Sequence, residues 1–486
     1  MNYISTRGKS FSKSSYDTIF KGLAEDGGLF VLENMPILDW EEFLSEDFGY
    51  DEVSAMVIQQ FFQDIPYEEI LDMTKKAYNE KFFVKNALKI QKVGDISVME
   101  LFHGPTSAFK DFALSMLPQF MEKARGDKKV IILTATSGDT GKAALEGFKD
   151  IEGIDVVVFY PTDGVSSMQK LQMMTQEGKN VHVFAVNGNF DDAQRGVKEI
   201  FQNKEMEKWM DDRGYVLSSA NSINIGRLIP QVAYYVYSYI ELVRKGTIAS
   251  GDFIDIVVPT GNFGNILAAY YAKEMGIPIG NFICASNENN VLSDFFQKGT
   301  YDANRSLVKT TSPSMDILVS SNLERFLYEI TKDSERVAKW MEDLKENGMY
   351  SVGEEFRKEM KDFYGYYATV EESQEGIREF YEKYQYVMDP HTAVAYKCWE
   401  KFKEENKGNY PLIVSTASPY KFPEAVTEAL EIHGEESHLL EETEKKTGVE
   451  IPVPLEGLKD RKILHNRIIE KEDMGKVIQE EFYGSN

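Results

Sequence analysis

Leu101-Phe102-His103-Gly104-Pro105-Thr106-Ser107-Ala108-Phe109-Lys110-Asp111-Phe112-Ala113 enters as an apolar run, breaks at Gly-Pro and leaves with the spacing of a helix. Lys110 stands where that helix should begin. Phe109, Phe112 and Ala113 around it would desolvate an ammonium and lower its pKa, which makes a lysine nucleophilic enough to bond an aldehyde. The same lysine could equally snorkel to solvent from a first helical turn, and this stretch does not choose between the two readings.

Outward from it, the chain changes texture. Residues 1–90 read as a mostly helical leading domain, with apolar helical spacing over 18–23 and 51–62 and a turn-to-strand signal at Gly27-Gly28-Leu29-Phe30-Val31. Val130-Ile131-Ile132-Leu133, Val156-Val157-Val158-Phe159 and Val181-His182-Val183-Phe184-Ala185-Val186 are β-branched runs, each followed by a polar or glycine-rich turn and a helix-like segment. These units predict an α/β lobe with a parallel sheet over 91–240. A second lobe over 241–433 is predicted from Ile254-Asp255-Ile256-Val257-Val258, Phe282-Ile283-Cys284-Ala285 and Leu412-Ile413-Val414-Ser415, with a charged helical insertion at about 300–385. Residues 434–486 read as a polar C-terminal tail. A cleft between the lobes is where a ligand would bind.

The 486 residues are 42% hydrophobic, enough for real cores, and carry a net charge of -25, which would repel a polyphosphate. The expectation is therefore no nucleic acid and no membrane partner, and a small anionic ligand only where basic groups are concentrated. The start of the chain shows no apolar leader segment, so the protein is expected in the cytoplasm. Two cysteines, Cys284 and Cys398, far apart, indicate neither a disulfide framework nor a thiolate metal site. The six histidines are scattered, and His433 and His438 miss the four-residue spacing of a helical ligand pair, so no metal is expected. The oligomeric state is open, with a monomer as the working expectation.

The remaining chemistry sits in turns at strand ends. Pro259-Thr260-Gly261-Asn262-Phe263-Gly264-Asn265 follows a strand and opens a helix, the local recipe for holding a phosphate on backbone N–H groups. It fits neither the dinucleotide fingerprint nor a P-loop, and an ordinary strand-to-helix turn has the same composition. Thr134-Ala135-Thr136-Ser137-Gly138-Asp139-Thr140-Gly141-Lys142-Ala143 fails the Walker pattern, and its several short donors suit a carboxylate. Asn221-Ser222-Ile223-Asn224-Ile225-Gly226-Arg227 offers amide, hydroxyl and guanidinium donors to a second anion, unless Asn221 or Ser222 merely caps a helix and Arg227 faces water. Asp389-Pro390-His391-Thr392-Ala393 reads as a capped helix start. Ser415-Thr416-Ala417-Ser418-Pro419-Tyr420-Lys421-Phe422 is a strand end opening into a polar turn, where side chains reach a ligand.

One ligand reconciles these pieces. Pyridoxal 5′-phosphate needs a lysine for its aldehyde, a backbone cup for its phosphate and a partner for its ring nitrogen, which Lys110, residues 261–265 and Ser415 or Thr416 would supply.

In order along the chain, these blocks, with Tyr3-x-Ser5-Thr6-Arg7-Gly8, Leu23-Ala24-x-Asp26-Gly27-Gly28-Leu29-Phe30-Val31 and Ser312-Pro313-Ser314-Met315-Asp316-Ile317, resemble the threonine synthase family in its longer bacterial and fungal class. The resemblance implies a fold-type II pyridoxal-phosphate enzyme that converts O-phospho-L-homoserine and water to L-threonine and phosphate by γ-elimination and β-addition. It implies that Lys110 bonds the cofactor and moves protons, that Gly261, Asn262, Phe263, Gly264 and Asn265 hold the cofactor phosphate, that Thr416 meets the ring nitrogen, and that Asp139 lies near the 3′-oxygen. It further implies that Ser137, Gly138 and Thr140 grip the substrate carboxylate while Asn221, Ser222 and Arg227 bind its phosphate. Ser418 departs from the family, which carries a histidine there. A phospholyase or serine/threonine dehydratase on the same fold, and a non-catalytic binding module, are the rival readings.

Overall fold

The structure, a computed structural model, describes residues 2–8, 11–79, 81–82, 84–136 and 138–482. Two parallel sheets organise it. The first has five strands in the order Ile468–Glu470, Val181–Asn187, Ile154–Pro161, Lys129–Ala135, Tyr215–Ser218, all parallel. Its central members are the β-branched runs of the sequence, and Ile131, Ile132, Val156, Val157 and Val158 are fully buried, as strands covered on both faces require. The second has six strands in the order Phe363–Tyr367, Ile279–Ser286, Ile254–Pro259, Tyr410–Ser415, Ile96–Glu100, Lys89–Val93, with only the last pair antiparallel.

The helix Ile225–Arg244 is buried along almost its whole length, so it behaves as a core element with apolar or aromatic surface all round. It packs against the helix Lys110–Ala124, the helix Gly264–Glu274 and the leading domain's helix Tyr50–Phe61. Tyr50 is the hub of that contact, its ring meeting Tyr78, Phe112 and Tyr237 edge-on at 4.9, 5.3 and 5.5 Å. The leading domain has the expected helices, and also a small antiparallel sheet of Tyr3–Ser5, Phe11–Ser12 and Phe30–Leu32.

Three boundaries differ from the sequence reading. Lys89–Val93 and Ile96–Glu100 lie in the second sheet, because Ile96–Glu100 pairs with Tyr410–Ser415, so the lobes interleave in sequence instead of dividing near residue 240. The charged block at 300–385 is not purely helical: Phe363–Tyr367 forms the sheet's edge strand, and Thr300–Asp302 pairs with Met349–Ser351. The polar tail is folded onto the first lobe, where Ile468–Glu470 extends the sheet and Met474, Val477, Ile478 and Phe482 join its core. Charge had hidden a short strand whose alternate residue, Ile469, is the buried one.

No helix among the described residues is long and apolar enough to cross a membrane. No group of three or more His, Cys, Asp or Glu able to hold a metal ion occurs among them.

The helices Lys110–Ala124 and Asp139–Phe148 touch almost backbone to backbone. Pro118 has no N–H to donate to the Leu114 carbonyl one turn earlier, and that carbonyl faces Gly147, where an added Cβ would lie 1.9 Å from it. Gly147→Ala should therefore push the two helices apart and cost about 1–3 kcal/mol, as overpacking does. A clear fall in the thermal unfolding midpoint is expected; an unchanged midpoint would show that the contact relaxes freely.

Candidate active site

The carboxyl ends of strands from both sheets converge on the loop that carries Lys110. Beyond Ile96–Glu100 the chain stays beside its partner: Leu101 N–H donates to Ser415 O at 3.0 Å, Phe109 N–H to Thr416 O at 2.8 Å, and Ser418 N–H to Ser107 O at 3.1 Å. Within the loop, Asp111 accepts from Thr106 N–H at 2.9 Å and Thr106 Oγ1 at 2.5 Å. Gly104 allows that closure, since a Cβ there would meet Asp111 Oδ2 at 2.5 Å. Lys110 is thus delivered at the first turn of its helix, half-buried, and its Nζ makes no hydrogen bond or ion pair among the described residues. Burial pushes its ammonium down to about 8, the charges of Arg227 and Lys421 act in the same direction, and Asp139 opposes them.

Asp139 begins the helix Asp139–Phe148 and is 4% exposed. Thr136 Oγ1 holds the turn by accepting from Gly138 and Gly141 N–H, both at 2.9 Å. Gly138 has φ +141°, and a Cβ on it would strike Gln169 at 2.5 Å. Asp139 Oδ1 accepts from Gln169 Nε2 at 2.8 Å and from Lys421 Nζ at 2.7 Å. Burial alone would raise this carboxyl's pKa, but Lys421 and Lys110 outweigh it and hold Asp139 well below the ordinary carboxylate range. Lys421 itself has no exposed surface and also donates to Gln172 Oε1 at 2.8 Å and Thr106 O at 3.0 Å. Thr140 is half-buried, with its hydroxyl unbonded among the described residues; Ser137 lies outside them.

The glycine cup lies between the strand Ile254–Pro259 and the helix Gly264–Glu274. Gly261 is pressed against Ser314 O, which a Cβ would meet at 2.6 Å, and its carbonyl accepts from Ser320 Oγ at 2.7 Å. Phe263 adopts a left-handed φ of +63°, the kind of turn that directs successive N–H groups to one side. Its ring points away from the cup into an aromatic cluster with Phe296, Phe326 and Phe363. Gly264 faces more open space, the nearest atom to an added Cβ being Asn322 Nδ2 at 3.5 Å. Asn265 accepts from the Tyr235 hydroxyl, whereas its Nδ2 is buried and unbonded among the described residues.

Asn224, not Asn221 or Ser222, caps the helix Ile225–Arg244, accepting from Gly226 N–H at 2.9 Å. Arg227 does not reach solvent: it is 3% exposed, donates through one terminal nitrogen to Ala220 O at 2.9 Å, and leaves its buried Nε unbonded among the described residues. Burial pushes its pKa down to about 10. Asn221 and Ser222 are half-buried beside it in sequence, and the Asn221 amide makes no side-chain hydrogen bond among the described residues.

At the other sheet edge, strand alternation separates two neighbours. Ser415 Oγ pairs with Thr392 Oγ1 at 2.9 Å, while the Thr416 hydroxyl is unbonded among the described residues. Asp389 caps its helix as read, accepting from His391 and Thr392 N–H, and His391 Nδ1 lies 2.8 Å from its Oδ1. Ser418 is 1% exposed and accepts from Tyr420 N–H at 3.3 Å, a capping role that needs no imidazole.

Lys421, Gln169 and Gln172 were not singled out by sequence. The signal available was a lysine directly after a strand-end turn, which reads as solvated until its fold partners are known. Among the donors without a hydrogen-bond partner among the described residues, Lys110 Nζ, Arg227 Nε, Asn265 Nδ2 and the Thr416 hydroxyl are of the types an aldehyde, two anions and a ring nitrogen would use, so the residues present fit pyridoxal phosphate.

The chain is similar to known proteins over most of its length. The family described as "Pyridoxal-phosphate dependent enzyme" matches residues 86–416, "Threonine synthase N terminus" matches 2–78, and "Threonine synthase, C-terminal" matches 392–472. The chain is 38% identical over 442 residues to threonine synthase-like 1 of Homo sapiens, covering 87% of this chain but only 59% of that longer protein. To the threonine synthase of Schizosaccharomyces pombe it is 36% identical over 471 residues, covering 88% of this chain and 89% of that one. The crystal structure of threonine synthase from Brucella melitensis with pyridoxal phosphate bound superposes with a TM-score of 0.87 at 34% identity, over 99% of this chain and 98% of that chain. The chain belongs to the threonine synthase family of fold-type II, pyridoxal-phosphate-dependent enzymes.

Proposed function

We propose that this chain is a threonine synthase, a lyase that converts O-phospho-L-homoserine and water to L-threonine and phosphate. The observation that carries the reading is Arg227: a buried guanidinium whose Nε is unbonded among the described residues, close enough to act on Lys110, on a different element from the glycine cup. A cofactor with one phosphate needs one cup, and a second buried cation calls for an anion on the substrate. A dehydratase substrate brings only a carboxylate, which the loop around Gly138, Asp139 and Thr140 would take.

In this reading Lys110 Nζ would hold the cofactor through its aldehyde carbon, the backbone of residues 261–265 would hold its phosphate, Thr416 would offer its hydroxyl to the ring nitrogen, and Asp139 would face the 3′-oxygen. Ser137, Gly138 and Thr140 bind the substrate carboxylate, and Asn221, Ser222 and Arg227 its phosphate. When bound, pyridoxal phosphate supplies an electron sink that acidifies hydrogens near the substrate's amine-bearing carbon. Lys110 Nζ, brought toward neutrality by burial, can take a proton from the substrate and return it nearby, which is what a base in two successive deprotonations must do. Arg227 neutralises charge on the departing phosphate. Asp139, ionised against Lys421, keeps a fixed acceptor beside Lys110.

We place this activity in the cytoplasm, in threonine biosynthesis, with no nucleic acid or membrane partner and with a monomer as the unit. Cys284 and Cys398, both buried free thiols, suit a reducing compartment. The purified protein incubated with O-phospho-L-homoserine should release phosphate and threonine in equal amounts. Phosphate accompanied by a 2-oxoacid instead would establish the phospholyase reading.

Two further outcomes follow from the electrostatics. Arg227→Ala should lose about 2–5 kcal/mol of transition-state stabilisation, roughly 30-fold to several thousandfold in kcat/KM, with the bound cofactor's absorption retained. Arg227→Lys should recover only part, since an ammonium lacks the planar fork. Near-normal kcat/KM in Arg227→Ala would remove the phospho-substrate from the argument. In cofactor-free protein, the pH midpoint for labelling Lys110 with an amine reagent, read by peptide mapping, should lie near 8. Asp139 raises that midpoint, so Asp139→Asn should move it down; an upward move would mean that Asp139 is not charged beside Lys110.

A further inference from the structure

Between the cup and the Asn221–Arg227 segment runs a stretch that neither motif includes. Ser321 Oγ donates to Asn262 Oδ1 at 3.2 Å, and its oxygen lies 3.4 Å from Ser222 Oγ. Since a serine has a single hydroxyl proton, already directed at Asn262, Ser222 is the donor in the second contact. Asn322 spans the same two segments through their backbones: its Nδ2 donates to Asn262 O at 3.1 Å and to Ser222 O at 3.2 Å, and its backbone N–H adds a third bond, to Asn262 O at 3.1 Å. Asn322 has no exposed surface.

The orientation of that amide is fixed from behind. Arg325, also without exposed surface, faces Asn322 Oδ1, and a guanidinium can only donate, so the amide nitrogen must point toward Asn262 and Ser222. Arg325 further donates to Ile223 O at 2.5 Å and to Phe30 O at 2.9 Å, which ties the bridge to the substrate-side loop and to the leading domain.

We propose that Ser321 and Asn322 are positioning residues that couple the two anion sites, so that filling the Ser222–Arg227 site tightens the cup at Asn262. This rests on the reading of both sites as phosphate sites. Two dianions held side by side repel each other, and through-space repulsion alone would make phosphate at one site loosen the cofactor at the other. The bridge acts in the opposite sense, because Asn322 Nδ2 holds the Ser222 and Asn262 carbonyls together, so that ordering the Ser222 backbone also orders that of Asn262.

The sign of the effect makes the test decisive. Holoenzyme is diluted into a cofactor trap with or without inorganic phosphate, and cofactor loss is followed by absorption; a dissociation rate is insensitive to phosphate later entering the emptied cup. Phosphate binding itself is read separately, from its perturbation of the bound cofactor's spectrum. In the native protein phosphate should slow cofactor loss about fivefold or more. In the Ser321→Ala, Asn322→Ala double variant phosphate should still bind but leave the rate within about twofold, or accelerate it. If that variant fails to load cofactor, the comparison is made with Ser321→Ala alone, which keeps Asn322 and should lose part of the slowing. Phosphate that binds the native protein without slowing release, or slowing that survives in the variants, overturns the coupling. A native spectrum unmoved by phosphate would overturn the second anion site, and the bridge with it.

Discussion

A lysine with no exposed surface must find its counter-charge and its hydrogen-bond acceptors inside the protein, and Lys421 finds all of them in the site. Its three acceptors come from three separate segments: Thr106 in the loop before Lys110, Asp139 at the start of the next helix, and Gln172 in the helix Ser167–Met174. Lys421 itself follows the strand Tyr410–Ser415 of the other sheet. Breaking a buried pair of this kind by removing one partner costs several kcal/mol, since the other charge is left stranded. One ammonium therefore ties three segments at the site together, among them the loop before Lys110 and the start of the helix that Asp139 opens.

The charge balance of the site runs against that of the chain. The whole sequence carries -25, yet Arg227 and Lys421 both act on Lys110, and Asp139 is the carboxylate that Lys110 and Lys421 share. At a distance such a protein repels anions, and within a few ångströms of Lys110 it attracts them. Selection among small anions then depends on reaching this depth and shape, because long-range attraction cannot contribute.

Much of this was legible in the sequence because it is local. β-branched runs ended by glycine turns gave the sheets, and an apolar-flanked lysine after Gly-Pro gave Lys110. The features that escaped are the non-local ones. Nothing within residues 97–100 says that they pair with residues 412–415, which is why the lobe boundary differs from the sequence reading. Lys421 follows Pro419 and Tyr420 in what reads as a polar turn at a strand end; its burial depends on acceptors some 250 to 315 positions away in sequence. Phe263 shows the reverse case, where the motif was legible but the division of labour within it was not: the backbone turns in the cup while the ring is spent on the core. Ser415 and Thr416 were inseparable by composition, and the bond from Ser415 to Thr392 separates them.

Arg227 is buried at a cost, and that cost is informative. It sits in the first turn of the helix Ile225–Arg244, where the helix dipole already presents positive charge, and no acidic residue occupies that turn. A buried guanidinium at a helix start, with one backbone acceptor and no carboxylate among the described residues, is destabilising by itself. An anion at this place is attracted by both sources at once, the dipole and the guanidinium, and it offsets the cost of burying that guanidinium. Part of the affinity for a phosphorylated substrate thus resides in the fold before the substrate arrives. A sequence optimised for stability alone would have put a carboxylate or an aliphatic side chain at position 227.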